Sequence, residues 1–153
     1  MNRVRQVTVS PTVALTAYTA NDVVGGLLTF NFTDAHPFDG VIRSVLVTDA
    51  ANQKEQYVLY VFNAVPSTIA DDAAFAPVIA DLKKMVTTVT VATADYTTAN
   101  SLAWACLGGH EDTKMEVPVH SDTGSLYVYA VATDTPDYAA ATDLVLTMTV
   151  ELW

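Results

Sequence analysis

Leu144-Val145-Leu146-Thr147-Met148-Thr149-Val150-Glu151-Leu152-Trp153 decides how the rest of the chain is read. Leu144, Leu146, Met148, Val150 and Leu152 alternate with Val145, Thr147, Thr149, Glu151 and Trp153, so one side is uniformly apolar and the other mostly polar. Successive side chains of an extended strand point to opposite faces, and this period of two is what a half-buried antiparallel strand requires. A one-residue slip in pairing would turn the whole apolar row to solvent, so the pattern itself specifies the register.

The same period recurs upstream, where Leu28, Phe30 and Phe32 alternate with Leu27, Thr29, Asn31 and Thr33. Further strands are predicted at residues 4–9, 12–17, 41–48, 86–92, 101–107 and 114–119. Two segments are apolar on both faces: Tyr57, Leu59 and Val61 against Val58, Tyr60 and Phe62, and Leu126, Val128, Ala130 and Ala132 against Tyr127, Tyr129 and Val131. A sandwich sheet has one inner face, so the second apolar face meets either another subunit or a loop of the same chain. Tyr57, Tyr127 and Tyr129 are therefore candidates for a subunit interface, with capping by the chain's own loops as the alternative.

Only residues 67–75 and 77–84 look helical. In the second, Pro77 at the first turn and Lys83 and Lys84 at the end suit a short helix and its dipole. Many short strands with frequent turn signals predict an all-β fold, an antiparallel β-sandwich or jelly roll with one or two short helical turns. A chain of 153 residues fits one domain over 1–153, with residues 1–10 read either as an N-terminal arm or as the first strand.

Composition narrows the function classes. Hydrophobic residues make up 51% and charged ones 16%, against about 25% charged in an average soluble protein, which suggests neighbours other than water. A net charge of −10 argues against non-specific nucleic-acid binding, because phosphates must be neutralised by Lys and Arg. After Lys84 the only basic residue is Lys114, whereas Arg3 and Arg5 put positive charge at the N-terminus of an acidic body. Those arginines read either as a basic arm or as solvated ends of a first strand. The start of the chain lacks the apolar core of a signal peptide and no run approaches a membrane span, so neither secretion nor a membrane partner is expected. Cys106 is the sole cysteine, excluding an intrachain disulfide, and is expected to be a buried apolar thiol.

No residue constellation declares a chemistry. His110, Glu111, Asp112, Glu116, His120 and Asp122 could ligate a cation, but EF-hand and HExxH spacings are absent and the flanking glycines indicate an exposed acidic loop. Asp34, His36 and Asp39 occupy a turn-rich loop with no nucleophile elbow nearby, which reads as a loop tip. Gly25-Gly26 lies between strands and serves a bulge or turn, not a phosphate loop. No catalytic residue, metal or cofactor is assigned. A weak echo, Tyr18 to Asp22, Tyr96 to Ser101 and Tyr138 to Asp143, suggests a recurring corner in which a ring packs over the sandwich end and Asp or Ser bonds nearby amides.

Beyond these patterns, the wording of several segments resembles a known family. Residues 17–30, Gly40-Val41-Ile42-Arg43-Ser44-Val45-Leu46-Val47-Thr48-Asp49, Ala73-Ala74-Phe75-Ala76-Pro77, Thr93-Ala94-Asp95-Tyr96 and residues 135–144 are similar to head decoration, or cement, proteins of tailed bacteriophages. The loop at 33–40 departs from that family's short, Gly-rich pattern. The resemblance implies a virion protein, made in the host cytoplasm and seated on the capsid exterior, with the major capsid protein and itself as partners. It further implies a homotrimer that stabilises the expanded head. On that reading Arg3 and Arg5 reach carboxylates on the capsid lattice, and Tyr57, Tyr127 and Tyr129 build the subunit contact. The competing reading is a carbohydrate-binding β-sandwich of a head or tail fibre, since jelly rolls serve both roles. An enzyme is not expected, for want of an arranged nucleophile and base.

Overall fold

A computed structural model describes residues 3–33, 36–109 and 115–153. Their elements are β1 (Arg3–Val9), β2 (Val23–Asn31), β3 (Phe38–Asp49), β4 (Tyr57–Phe62), α1 (Ile79–Leu82), β5 (Met85–Val91), β6 (Tyr96–Ala99), β7 (Leu102–Gly108), β8 (Val117–Ser121), β9 (Ser125–Ala132) and β10 (Leu144–Leu152). A single 3-10 turn at Thr93–Asp95 precedes β6. One sheet runs β1-β10-β3-β7-β6 with β8 also on β3, and the other runs β2-β9-β4-β5. Setting β6 and β8 aside leaves two four-stranded sheets, β1-β10-β3-β7 and β2-β9-β4-β5, which is the strand order of a jelly roll. The fold is the all-β sandwich expected.

The alternating rows meet between the sheets. Leu144, Leu146, Met148, Val150 and Leu152 of β10 pack with Leu28, Phe30, Ile42, Val45, Val47, Leu59, Val61 and Val128 in one continuous core. Met148 is 1% exposed, and burial of a side chain of that size contributes about 1.5–3 kcal/mol. Polar positions of β10 find cross-strand partners instead: Thr147 lies opposite Thr8, and their hydroxyls bond at 2.9 Å.

Long β3 serves two partners in succession, β8 along Phe38–Ile42 and β7 along Ser44–Asp49. Arg43 sits at the changeover, where the register against β10 also slips by one residue. The bulge sends its guanidinium outward to Glu151 at 2.6 Å and Glu116 at 2.8 Å, a half-exposed pairing that raises the Arg43 pKa through the Glu151 bond first.

Three expectations are corrected. Residues 12–17 form no strand: Val13 N–H bonds the Ala141 carbonyl and the Ala14 N–H bonds the Tyr18 hydroxyl, so the segment is tied to the sandwich end instead of a ladder. Residues 67–75 are not helical. They lie across the outer face of the second sheet, with Asp72 at φ 60°, and residues 72–75 pair with the start of β2 through Asp72 N–H to Val23 O, Val23 N–H to Ala73 O and Phe75 N–H to Asn21 O. The second helix is a single turn, Ile79–Leu82. Here the need to cover an apolar sheet face outweighs local helix preference.

The echoed corners have a common physical form. At Thr19 and Asp22, Val78 and Asp81, Ala92 and Asp95, and Ala140 and Asp143, the first residue's N–H donates to the Asp carboxylate while the Asp N–H donates back to the first residue's carbonyl. Each carboxylate thus closes a turn that would otherwise leave amides unpaired. Tyr18 and Tyr138 meet edge to face at 6.2 Å beside two of these corners, as the echo suggests; the third lies before Tyr96 instead of after it. Asp81 is buried, and the Ser67 N–H foremost, then the Val78 N–H and Ser67 hydroxyl, hold its carboxyl below the ordinary range.

Candidate functional site

β1 is the lateral edge of its sheet and pairs with β10 from Arg3 opposite Leu152 to Val9 opposite Leu146. The N-terminus is thus a paired strand over these residues, not a free arm. Arg3 and Arg5 share the face of Val7 and Val9, whose side chains pack on the core, so the two arginines point inward at the open end of the sandwich. They line a cleft of about 500 Å³ with Asn31, Phe32, Thr33, His36 and Leu152. A second cleft of about 330 Å³ adjoins it and shares Arg3, Thr33 and Leu152, adding Pro37, Phe38 and Trp153.

The cleft floor is aromatic. Phe32 and Phe38 meet edge to face at 5.9 Å, and both are buried. The turn before β9 clamps the wall: the N–H groups of Phe32 and Thr33 donate to the Gly124 carbonyl at 3.0 and 3.2 Å. Gly124 has φ 79°, and a Cβ there would stand 2.3 Å from the Thr33 hydroxyl, so only glycine admits this approach. The Thr33 hydroxyl in turn donates to the His36 carbonyl. Trp153, 65% exposed, is held at the rim by its N–H on the Asp39 carbonyl at 3.0 Å.

No Asp or Glu is among the described residues lining the two clefts, although the chain carries a net charge of −10. Arg3, Arg5 and His36 line the same cleft, and guanidiniums suit a carboxylate or another flat anion, which Arg binds through a planar fork of donors. Asn31 and Thr33 add neutral hydrogen-bonding groups beside them. The Thr33 hydroxyl in this cleft donates to the His36 carbonyl.

The tyrosines are placed elsewhere. Tyr57 is 1% exposed on the inner face of the second sheet, within the main core. Tyr127 and Tyr129 lie on the opposite, outer face, in a second apolar cluster with Val23, Phe62, Phe75 and Val131 that Ile69 helps cover. The Tyr129 hydroxyl donates to the Ser67 carbonyl at 2.7 Å and accepts from the Ile69 N–H at 2.9 Å. None of the three side chains is thus exposed to a second subunit: Tyr57 is enclosed between the sheets, and segment 67–75 covers the outer cluster of Tyr127 and Tyr129. Burial pushes the Tyr129 hydroxyl pKa up.

Other acids close on their own loops. Asp49, 1% exposed, accepts from the N–H groups of Ala51, Gln53 and Lys54. Glu55 beside it is pushed up to about 8, by burial first and then by its bond to Asp134. His120 bridges Asp39 at 2.9 Å and Asp122 at 3.0 Å in the open, and the Asp39 bond foremost raises its pKa. His110, Glu111 and Asp112 of the sequence-level ligand set, and Asp34, lie outside the described residues. Among the described residues no group of three His, Cys, Asp or Glu is arranged to hold a metal ion, and no helix is long and apolar enough to cross a membrane. Cys106 is exposed on the outer face of β7, not buried, because Ala103 and Ala105 take the inward positions.

Arg3 and Arg5 stand out in the sequence by charge, but their neighbours in the cleft do not. The signal was present in β1: Val7 and Val9 continue an odd-numbered row that places Arg3 and Arg5 on the core-facing side. No protein-family model matches this chain, and no curated protein matches it significantly.

Proposed function

We propose that this protein is a phage head decoration protein that binds the outer capsid surface as a homo-oligomer and stabilises the expanded shell. The observation that carries the reading is the cleft of Arg3 and Arg5, a local cationic site on an otherwise acidic jelly roll. Capsid exteriors that display carboxylates give such a site its counterpart, and many copies turn modest single contacts into tight lattice binding. Preference for the expanded shell over its precursor stabilises the expanded state by that difference in affinity. The family resemblance in residues 17–30 and 40–49 supports the same reading. It extends to a chain without a catalytic role, cofactor, nucleic-acid partner or membrane partner.

The direct test is co-sedimentation with expanded shells and with precursors, comparing the native chain with an Arg3→Glu/Arg5→Glu double variant. Saturable binding to expanded shells alone, weakened at least about tenfold in the variant, is the expected result. Equal binding by the variant overturns the role of the cleft, and failure to bind either shell overturns the reading.

A second reading draws on Trp153, whose exposed ring stands at the rim of the adjoining cleft. An aromatic platform beside polar groups suits a sugar ring, and jelly rolls occur in lectins as well as capsids. Glycan binding lost in Trp153→Ala, with shell binding absent, would favour a fibre module instead.

A further inference from the structure

The jelly roll has two lateral sides, and they are built differently. On one side, β1 carries inward-pointing Arg3 and Arg5, while β2 is kinked by a bulge at Gly25 and Gly26 and flanked by residues 72–75. Inward charges, bulges and covering segments are how sheet edges are kept from pairing with other chains. On the other side, β5 reads Met85-Val86-Thr87-Thr88-Val89-Thr90-Val91, with no charge, proline or glycine, and its bulge at Val86 leaves Thr87–Val91 as a regular edge. It ends the order β2-β9-β4-β5, so no described strand pairs with its outer edge. The neighbouring β6, Tyr96-Thr97-Thr98-Ala99, ends the other sheet on that side and carries no charge either.

We propose that the β5 edge is a self-association surface, at which a second copy of this chain adds its own β5 antiparallel about a twofold axis at Thr88. The strand's pattern fits this occupant. Pairing centred on residue 88 sets Thr87 opposite Val89 of the second copy on the inner face, while the bulge turns Val86 toward the core and leaves Met85 on the outer side, beyond the regular contact. Charge is complementary in the same register. Lys83 precedes β5, Asp95 follows it in the 3-10 turn, and antiparallel addition brings each Lys83 toward the other copy's Asp95, whereas Lys84 is held by the Val65 carbonyl and Asp81. Lys83 and Asp95 are both exposed, and the apolar side chains of Leu82 and Met85, 45% and 36% exposed, lie beside this contact.

This surface supplies the self-association invoked above, yet it rests on the edge strand alone and is measured without capsid. The contact is twofold, so it departs from the threefold oligomer that the family resemblance implies. Sedimentation velocity and native mass spectrometry of the full chain are expected to give a species of twice 16.4 kDa. Thr88→Lys places like charges opposite each other across the axis and is expected to weaken dimerisation on the order of tenfold or more. Circular dichroism and the thermal midpoint verify that this variant is folded. Lys83→Glu is expected to weaken the dimer about fivefold at low salt. A trimer, a monomer throughout a dilution series, or a dimer indifferent to Thr88→Lys overturns the proposal. A dimer indifferent to Lys83→Glu overturns the register. Loss of shell binding with the dimer intact would count against the capsid reading and leave this one standing.

Discussion

Tyr129→Phe separates a tyrosine that holds its own chain together from one that meets a partner. The ring packs 6.2 Å from Phe62 and 5.8 Å from Phe75, contacts that phenylalanine keeps. Only the hydroxyl is lost, and with it a bond to the Ser67 carbonyl and a bond from the Ile69 N–H. Each intact bond is worth about 1 kcal/mol net, and each buried group left unpaired costs about 1–3 kcal/mol, so a loss of about 2–3 kcal/mol is expected. For a chain of this length that corresponds to a thermal midpoint lower by about 5–10 °C. Urea denaturation followed by circular dichroism measures the stability, and amide exchange at Ile69 reports whether segment 67–75 has loosened. Tyr127→Phe is the internal comparison: among the described residues its hydroxyl meets the Thr123 hydroxyl at 3.3 Å, so about 0.5–1 kcal/mol is expected. Stability within about 0.5 kcal/mol of native, with exchange at Ile69 unchanged, would refute the account of segment 67–75 as a fixed cover.

Other perturbations probe the frame around the site. Gly25 has φ 78° and a Cβ there would stand 2.3 Å from the Pro11 Cβ, so Gly25→Ala is expected to cost about 2–4 kcal/mol by chemical denaturation. Met148→Ala opens a cavity at the centre of the core and is expected to cost about 2–5 kcal/mol in the same assay, with the unfolding slope unchanged. Glu55 is raised from its ordinary 4.5 to about 8, so between those values the folded state holds a proton that the unfolded chain releases. Its contribution is complete below 4.5 and is lost as pH rises through about 8; Glu55→Gln is expected to flatten the urea midpoint across that window, and an unchanged slope would exclude Glu55 as its source.

What was legible in the sequence is what alternation encodes. β10 spans residues 144–152 and β4 residues 57–62 as the patterns indicate, because each strand buries one complete row of side chains. β6 was missed, since its four residues make a short hairpin with β7 through Asn100 and Ser101, both at positive φ, without the glycine that marks such turns. The cover at 67–75 was illegible for a different reason: its conformation answers to Tyr129 and Val23, far away in sequence, and no local period records that demand. The cleft was half legible. Its arginines stand out by charge, but Asn31, Phe32 and Leu152 join them only through the β1–β10 pairing and the closeness of β1 to β2.

The two contact surfaces proposed for this chain lie on opposite lateral sides of the sandwich. β1 and β2 form one side, and β5 and β6 the other, because each sheet order runs from one side to the other in the same sense. A copy paired through β5 therefore keeps its arginine cleft open, and the twofold axis carries two such clefts outward, one at each end of the pair. Two weak anion contacts on one rigid body bind a lattice more tightly than either alone, provided that their spacing matches the lattice. Arg3→Glu/Arg5→Glu should then abolish shell binding and leave the dimer intact. Thr88→Lys should leave each cleft intact and reduce shell affinity toward that of a single contact. If Thr88→Lys dissociates the pair without weakening shell binding, the two surfaces act independently and bridging by the dimer contributes nothing.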